Sequence, residues 1–284
     1  MPIQAALFDV FGTTVDCEIA ISTTACDVLG LPGKMLTRRS TEIRAGHGSL
    51  VRTCKEAIVV VTGGYSRVGG VLNRSDEIDW PELVRAWRRL YAPAMDQVRR
   101  GELKAADGSK FVLLDDLHRI NLDKVLNEFG LSDVPEAARL ELVQAWHSLQ
   151  PWPDTIPGLN AFRESGIQVG TLSNGNALLL RNMSRNHGLP WDHIFSAETF
   201  GHYKPDAQVY LGACQRLGLA PQNVLMVACH KDDLNHAALH GMKTAFVARP
   251  QEWGEVNLDT SPGPFDFNST SFVDLARQVQ QRGP

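Results

Sequence analysis

Apolar residues along the chain fall into two kinds of pattern. Ile3 to Phe8 is a largely apolar run of strand length, with Gln4 its one polar residue, ending at an acid, Asp9, and the small, hydroxyl-rich turn Val10-Phe11-Gly12-Thr13-Thr14 follows. From about residue 165 a regular beat sets in. Ile167–Leu172, Ile194–Ser196, Val224–Ala228 and Thr244–Ala248 read as strands; 176–186, 206–217 and 234–239 read as the helices between them. Strands alternating with helices of this length predict βαβ units, hence a parallel sheet covered on both faces. Between the first strand and this beat the period changes to that of a helix. Leu83, Trp87, Leu90, Tyr91, Ala94 and Val98 predict one helix over 80–98, bent at Pro93. Leu117, Ile120, Leu126 and Phe129 predict a second helix, and Leu140, Val143 and Trp146 a third. These stripes are the packing faces of a helical block. Residues 18–76 show no clean period; they hold one β-branched run, Ile58 to Thr62, and glycine pairs at 63–64 and 69–70 that mark turns, and the segment is expected to be an irregular insertion.

Composition narrows the partners. The 284 residues are 43% hydrophobic, enough for a large core, and the net charge of −4 comes from interspersed acids and bases. That balance argues against nucleic acid or an anionic membrane as partner. No apolar run approaches the ~20 residues of a membrane span, and Asp9 arrives before a signal-peptide core could form, so a cytoplasmic location is expected. Five cysteines (17, 26, 54, 214 and 229) form an odd set without C-x-x-C spacing, which fits packed thiols better than a disulfide framework or a zinc site.

In open parallel sheets ligands bind beyond the carboxyl ends of the strands, and four polar clusters fall at such ends. Asp9 is either a turn residue or a nucleophile able to form a covalent ester or acyl phosphate. Ser173-Asn174-Gly175-Asn176 supplies ordinary N-caps, and the same geometry points free N–H groups at an anion. Lys204 stands just before a helix, where the macrodipole disfavours a cation; it is a surface lysine or a charge partner for Asp9. Cys229-His230-Lys231-Asp232-Asp233 offers a helix cap, a thiol, or a histidine beside carboxylates.

These clusters, taken in order, resemble the haloacid dehalogenase superfamily and within it the (S)-2-haloacid dehalogenase branch. The resemblance is carried by Phe8-Asp9-Val10-Phe11-Gly12-Thr13, Trp87-Arg88, Pro151-Trp152-Pro153-Asp154, Leu172-Ser173-Asn174-Gly175-Asn176, Tyr203-Lys204-Pro205-Asp206 with Tyr210, and His230 with Asp233. It spans residues 3–16 and about 79–249; 18–76 does not resemble the usual cap. It implies an α/β fold: a Rossmann-like doubly wound parallel-sheet core over residues 1–15 and 151–284, with a helical cap over 16–150. Phosphatases of the superfamily carry a second aspartate two residues after the nucleophile, which holds magnesium through its backbone and acts as acid and base, and a metal-binding acid in the fourth motif. Here those positions are Phe11, which has no proton to exchange, and Cys229, so two of the features expected of a magnesium site, an ion that wants several hard oxygens, are removed together. No metal and no cofactor is expected.

The resemblance implies hydrolytic dehalogenation of short 2-haloalkanoic acids. Asp9 displaces halide from C2 and becomes an ester, which water hydrolyses to a 2-hydroxy acid. Lys204 keeps Asp9 ionised, Asp233 positions Lys204 or activates the water, and Ser173 with nearby N–H groups holds the substrate carboxylate. Arg88 and Asn174 cradle the halide, and Thr13, Phe11, Tyr210 and His230 support substrate or halide. A histidine at 230 stands where part of the branch has an amide. The small-molecule acid is the expected partner, with a second copy of the chain as a dimer. An atypical phosphatase and a non-catalytic binding protein are the competing readings.

Overall fold

The computed structural model describes residues 2–16, 79–252 and 259–282; the irregular segment predicted over 18–76 lies outside them. Strand β1 (Ala5–Phe8) leads into a short β2 (Val15–Asp16). Helices α1 (Trp80–Arg89), α2 (Tyr91–Arg99), α3 (Leu114–Glu128) and α4 (Glu136–Gln144) follow, the last running into a 3-10 turn over Ala145–Ser148. Strand β3 (Gln150–Pro151) then pairs antiparallel with β2, Val15 facing Pro151. The remainder alternates: α5 (Thr155–Glu164), β4 (Gln168–Ser173), α6 (Ala177–His187), β5 (His193–Ser196), the single turn α7 (Ala197–Phe200), α8 (Ala207–Leu217), β6 (Val224–Ala228), α9 (Lys231–Leu239), β7 (Lys243–Val247), β8 (Phe267–Ser269) and α10 (Phe272–Gln281).

The sheet is parallel throughout, in the order β5-β4-β1-β6-β7-β8. Strand β1 lies inside it, and its residues alternate between faces as the two-residue period of a strand requires. Ala5 and Leu7 pack with Val209, Tyr210 and Ala213 of α8 and Leu234 and Ala237 of α9. Ala6 and Phe8 pack with Leu159 and Phe162 of α5 and Phe272, Leu275 and Ala276 of α10. Helices therefore cover both faces, which is why β1 and β6 read as continuous apolar runs. The carboxyl ends of β1, β4 and β6 converge at Asp9, Ser173 and Cys229.

Helices α1–α4 enclose one apolar cluster that is continuous with Val10, Phe11 and Val15 of the turn after β1 and with Leu179, Leu180 and Met183 of α6. The block is thus packed directly over the carboxyl edge of the sheet. Two expectations for it are corrected. Residues 80–98 form two helices rather than one bent helix, and the break falls at Leu90. Pro93 has no N–H to give the carbonyl of Arg89 and its ring crowds that carbonyl, so the helix parts three residues before the proline itself. Leu140, assigned to a packing stripe, is 53% exposed on α4; Val143 and Trp146 of that stripe do pack, on a face that runs through Ala138, Leu142 and Trp146, and Leu140 stands two residues from Leu142 on the opposite side.

The α5–α10 contact depends on Gly158. A Cβ built there would sit 2.2 Å from Cβ of Phe272 and 2.7 Å from its carbonyl carbon. Gly158→Ala is therefore expected to lower stability by about 1–3 kcal/mol, read as a fall in urea midpoint at unchanged m-value.

Candidate active site

Asp9 is the first residue beyond β1, 7% exposed, with its N–H bonded to the Val227 carbonyl at 2.9 Å. The turn after it closes on itself: Thr14 and Val15 N–H groups return to the Val10 carbonyl at 2.9 and 3.1 Å, and Thr14 Oγ1 donates to the Asp9 carbonyl at 2.7 Å. The turn is also braced from outside. Trp152 Nε1 donates to the Gly12 carbonyl at 2.8 Å, Thr155 Oγ1 to the Thr14 carbonyl at 2.8 Å, and Arg249 Nε to the Thr13 carbonyl at 2.9 Å. Arg249 is itself fixed by a two-pronged pair with Asp154 at 2.8 and 3.1 Å.

Each Asp9 oxygen has its own partners. Oδ1 accepts from Lys204 Nζ at 3.0 Å; Oδ2 accepts from Thr13 Oγ1 at 2.8 Å and lies 3.0 Å from His230 Nδ1. Lys204 Nζ also reaches Asp233 Oδ2 at 2.5 Å, and the Tyr210 hydroxyl donates to Asp233 Oδ1 at 2.7 Å. One buried ammonium thus bridges two buried carboxylates. Burial alone would push Asp9 up, but Lys204 and His230 outweigh it and hold its carboxyl far below the ordinary 3.8. Asp233 goes the other way: burial and the nearby Asp9 raise it against the pull of Lys204. Burial works against the charge on Lys204 and is overcome by Asp233 and Asp9, which raise its pKa. His230 is raised well above 6.5 because Cys229, Asp9 and Glu252 outweigh its desolvation.

A cavity of about 250 Å³ opens over this group, lined among others by Asp9, Phe11, Arg88, Tyr91, Asn174 and Lys204. Tyr210, His230 and Asp233 also line it. Phe11 meets Tyr91 and Trp146 edge-on at 6.1 and 5.9 Å between ring centroids, and the Arg88 guanidinium lies 3.9 Å over the Tyr91 ring. Eight of the ten residues singled out in the sequence therefore line one cavity. Thr13 stands behind the nucleophile, its Oγ1 accepting the Cys229 N–H at 2.9 Å. Ser173 is fully buried, accepts the Gly175 N–H at 3.1 Å and is not among the lining residues. Asn174 spends its side-chain oxygen on the Lys204 N–H at 2.7 Å, fixing the segment that carries the lysine.

The sequence pattern gave no sign of Tyr91 or Glu252 at the site. Tyr91, three residues after Arg88, was readable as the next position on the same helical face. Glu252 follows β7 at the same carboxyl edge, and only that topological rule points to it.

Comparison with known proteins agrees with this geometry. Residues 3–228 match the family model for haloacid dehalogenase-like hydrolases. The chain belongs to this family. An (S)-2-haloacid dehalogenase 1 from Pseudomonas sp. (strain CBS-3) is 34% identical over 137 residues, 46% of this chain and 60% of that protein, so the chain spans well under two thirds of that relative in the match. A crystal structure of an L-2-haloacid dehalogenase is 35% identical with a TM-score of 0.75, covering 98% of this chain and 99% of that one. A defluorinating L-2-haloacid dehalogenase is likewise 35% identical, with a TM-score of 0.76 over 98% and 95%.

The residues gathered here do not suit a magnesium ion. The position between Asp9 and Asp233 is filled by the Lys204 ammonium, Phe11 contributes a ring, and Cys229 a soft sulfur, where magnesium asks for several hard oxygens. Among the described residues, Cys229, His230 and Glu252 are the one trio of metal-capable side chains with donor atoms close together. Their donors are already engaged with one another, His230 Nε2 with Glu252 Oε1 at 2.9 Å and Cys229 Sγ with Glu252 Oε2 at 3.4 Å.

The Lys204 bridge sets a testable sign. Asp9 is depressed in the folded state, so its stabilising share is present above the unfolded value of 3.8 and lost as pH falls through and below it. Lys204→Met leaves buried Asp233 without its cation, so its already raised folded pKa climbs further above the unfolded one, while Asp9 keeps His230 and Thr13. Stability of that variant, relative to wild type, is expected to increase from pH 7.5 to pH 5, measured by urea unfolding at both pH values.

Proposed function

We propose that the protein hydrolyses short (S)-2-haloalkanoic acids to 2-hydroxy acids through an ester on Asp9, without a metal. The observation that carries this reading is the Asp9–Lys204 pair 3.0 Å apart beneath an aromatic-walled cavity of about 250 Å³. A carboxylate held ionised and partly desolvated is a competent nucleophile toward an sp³ carbon bearing a halide. The cavity falls below the ~300–1,000 Å³ of sites for drug-sized ligands, which favours a short acid. The related proteins named as 2-haloacid dehalogenases support the same substrate class.

In this mechanism one Asp9 oxygen attacks C2, the carbon–halogen bond breaks, and halide leaves from the opposite side with its electron pair, inverting the carbon. Arg88 and Asn174 receive the halide, and the ring wall of Phe11 and Tyr91 keeps water from competing at C2. The substrate carboxylate is received at the carboxyl end of β4, in the turn that Ser173 shapes by accepting the Gly175 N–H and where Asn174 lines the cavity. Thr13 and Lys204 orient Asp9, and Tyr210 and Asp233 hold Lys204. Water then attacks the ester carbonyl carbon and frees the 2-hydroxy acid. The enzyme so read acts in the cytoplasm on a diffusing small molecule, with a dimer as its assembled form.

Wild-type protein is expected to release halide from (S)-2-chloropropionate at an undiminished rate in the presence of a chelator, followed with a halide-selective electrode. The (R) enantiomer should be a poor substrate and Asp9→Asn should release none. Well-folded wild type inert toward a panel of chloro-, bromo- and fluoro-acids would overturn the reading.

A further inference from the structure

The charge relay on the far side of Asp9 from Lys204 has no part yet in the reaction. His230 stands between two carboxylates: Nδ1 is 3.0 Å from Asp9 Oδ2 and Nε2 is 2.9 Å from Glu252 Oε1. Carboxylates only accept, so both ring nitrogens donate and the ring rests as the imidazolium. Glu252 is 2% exposed, and its other oxygen accepts from the Cys229 thiol at 3.4 Å. Its seat is specific. Gly12, at φ +84°, leaves open the space the carboxylate occupies, since a Cβ there would lie 2.0 Å from Glu252 Oε1. The Glu252 N–H is tied back to the Arg249 carbonyl at 3.1 Å, and Arg249 is locked to Asp154 and to the nucleophile turn. The alternative acceptor for the water proton, Asp233, has Lys204 on one oxygen and the Tyr210 hydroxyl on the other.

We infer that Glu252 is a positioning residue that makes His230, rather than Asp233, the proton acceptor for hydrolysis of the Asp9 ester. The inference rests on the reaction proposed above. Alkylation turns Asp9 from an anion into a neutral ester, so the Nδ1 proton of His230 loses its acceptor charge and passes to solvent through the cavity. Glu252 keeps the Nε2 proton and with it the ring orientation, leaving the Nδ1 lone pair beside the ester carbon. Water adds to that carbon and gives its proton to Nδ1. The carbon–oxygen bond to the alkyl group then breaks, and the departing alkoxide takes the proton back from Nδ1 as the 2-hydroxy acid. The Asp9 carboxyl, left protonated, returns its proton to His230 and restores the resting ion pair. Per turnover one water is consumed, and one halide and one proton are released, as hydrolysis of a carbon–halogen bond requires. Such a base held by a second group follows the general logic of an oriented histidine.

The test separates the two half-reactions. Glu252→Gln and His230→Gln are mixed with excess (S)-2-chloropropionate, halide is followed from the first turnover, and intact-protein mass spectrometry reads the covalent adduct. Expected is a burst of about one halide per chain, a steady rate at least about tenfold below wild type, and an accumulated ester on Asp9 that wild type does not show. Thermal unfolding of the unreacted variants checks the fold, and the burst itself counts intact sites. Burst and steady rate falling together without adduct would assign Glu252 a merely structural role and overturn the inference. Wild-type turnover in Glu252→Gln would return the proton to Asp233 and overturn it as well. Wild type that releases no halide is a different failure: it removes the underlying reaction, and this inference with it.

Discussion

Everything at the site follows from placing two carboxylates in a dry interior with one ammonium between them. Asp9 and Asp233 cannot both ionise there unaided, because removing a carboxylate from water costs several kcal/mol even after the surroundings relax. Lys204, reaching both at 3.0 and 2.5 Å, makes the arrangement tolerable and at the same time decides how it divides. Asp9 has the additional help of Thr13 and His230 and stays ionised; Asp233 lacks that help and is raised. The asymmetry is chemical as well as electrostatic. The carboxylate at the mouth of the cavity is the one held as an anion, and the one behind it is spent on orienting the cation.

Holding that geometry requires the turn after β1 to be rigid, and most of its braces come from distant sequence. Trp152 and Thr155 grip the turn from the segment following β3, and Arg249 from the segment following β7. Asp154 joins these supports: it pairs with Arg249 and accepts the first N–H of α10 at 2.7 Å. Strand β8 and helix α10 therefore do more than close the sheet. Through Phe272 and Asp154 they fix the height of the turn on which Asp9 sits. The Arg249 guanidinium, 6% exposed at its side chain and packed over the rings of Trp152 and Phe272, contributes packing as well as charge.

The parallel core was legible because its strands are buried on both faces. Val224–Ala228 shows no alternation, and an apolar run of five residues between helical periods has few other readings. Helix ends were legible to within a residue or a few, since the periodic signal says which face is apolar but little about where capping stops it. The break at Leu90 was misplaced because proline acts on the carbonyl four residues back, and Leu140 because an apolar residue can stand off the packing face that Ala138, Leu142 and Trp146 define. Site residues that sit in the turns after β1, β4 and β6 were legible from topology. Glu252 was not. A lone acid in a loop is a common surface residue, and only the open space over Gly12 and the nearby imidazole give it a partner. Arg88 shows the reverse case, since its position on α1 resembles any solvated arginine until the helix is docked over the sheet.

The charge balance around the cavity bears on which anion it suits. Asp9, Asp233 and Glu252 face Lys204 and His230, and Arg88 adds a cation from the helical block. A small monoanionic acid entering this cavity meets the Arg88 guanidinium carried by the helical block. A phosphate monoester brings nearly twice the charge at neutral pH, and among the described residues lining the cavity the cations are Arg88, Lys204 and His230, the last two already facing carboxylates. The ring of Phe11, with its contacts to Tyr91 and Trp146, favours a C–H surface over a hydrated oxyanion. An aromatic ring at this position has no proton to exchange and offers no side-chain oxygen to a cation. What remains suits an attack on carbon, where the entering and leaving groups each carry a single negative charge.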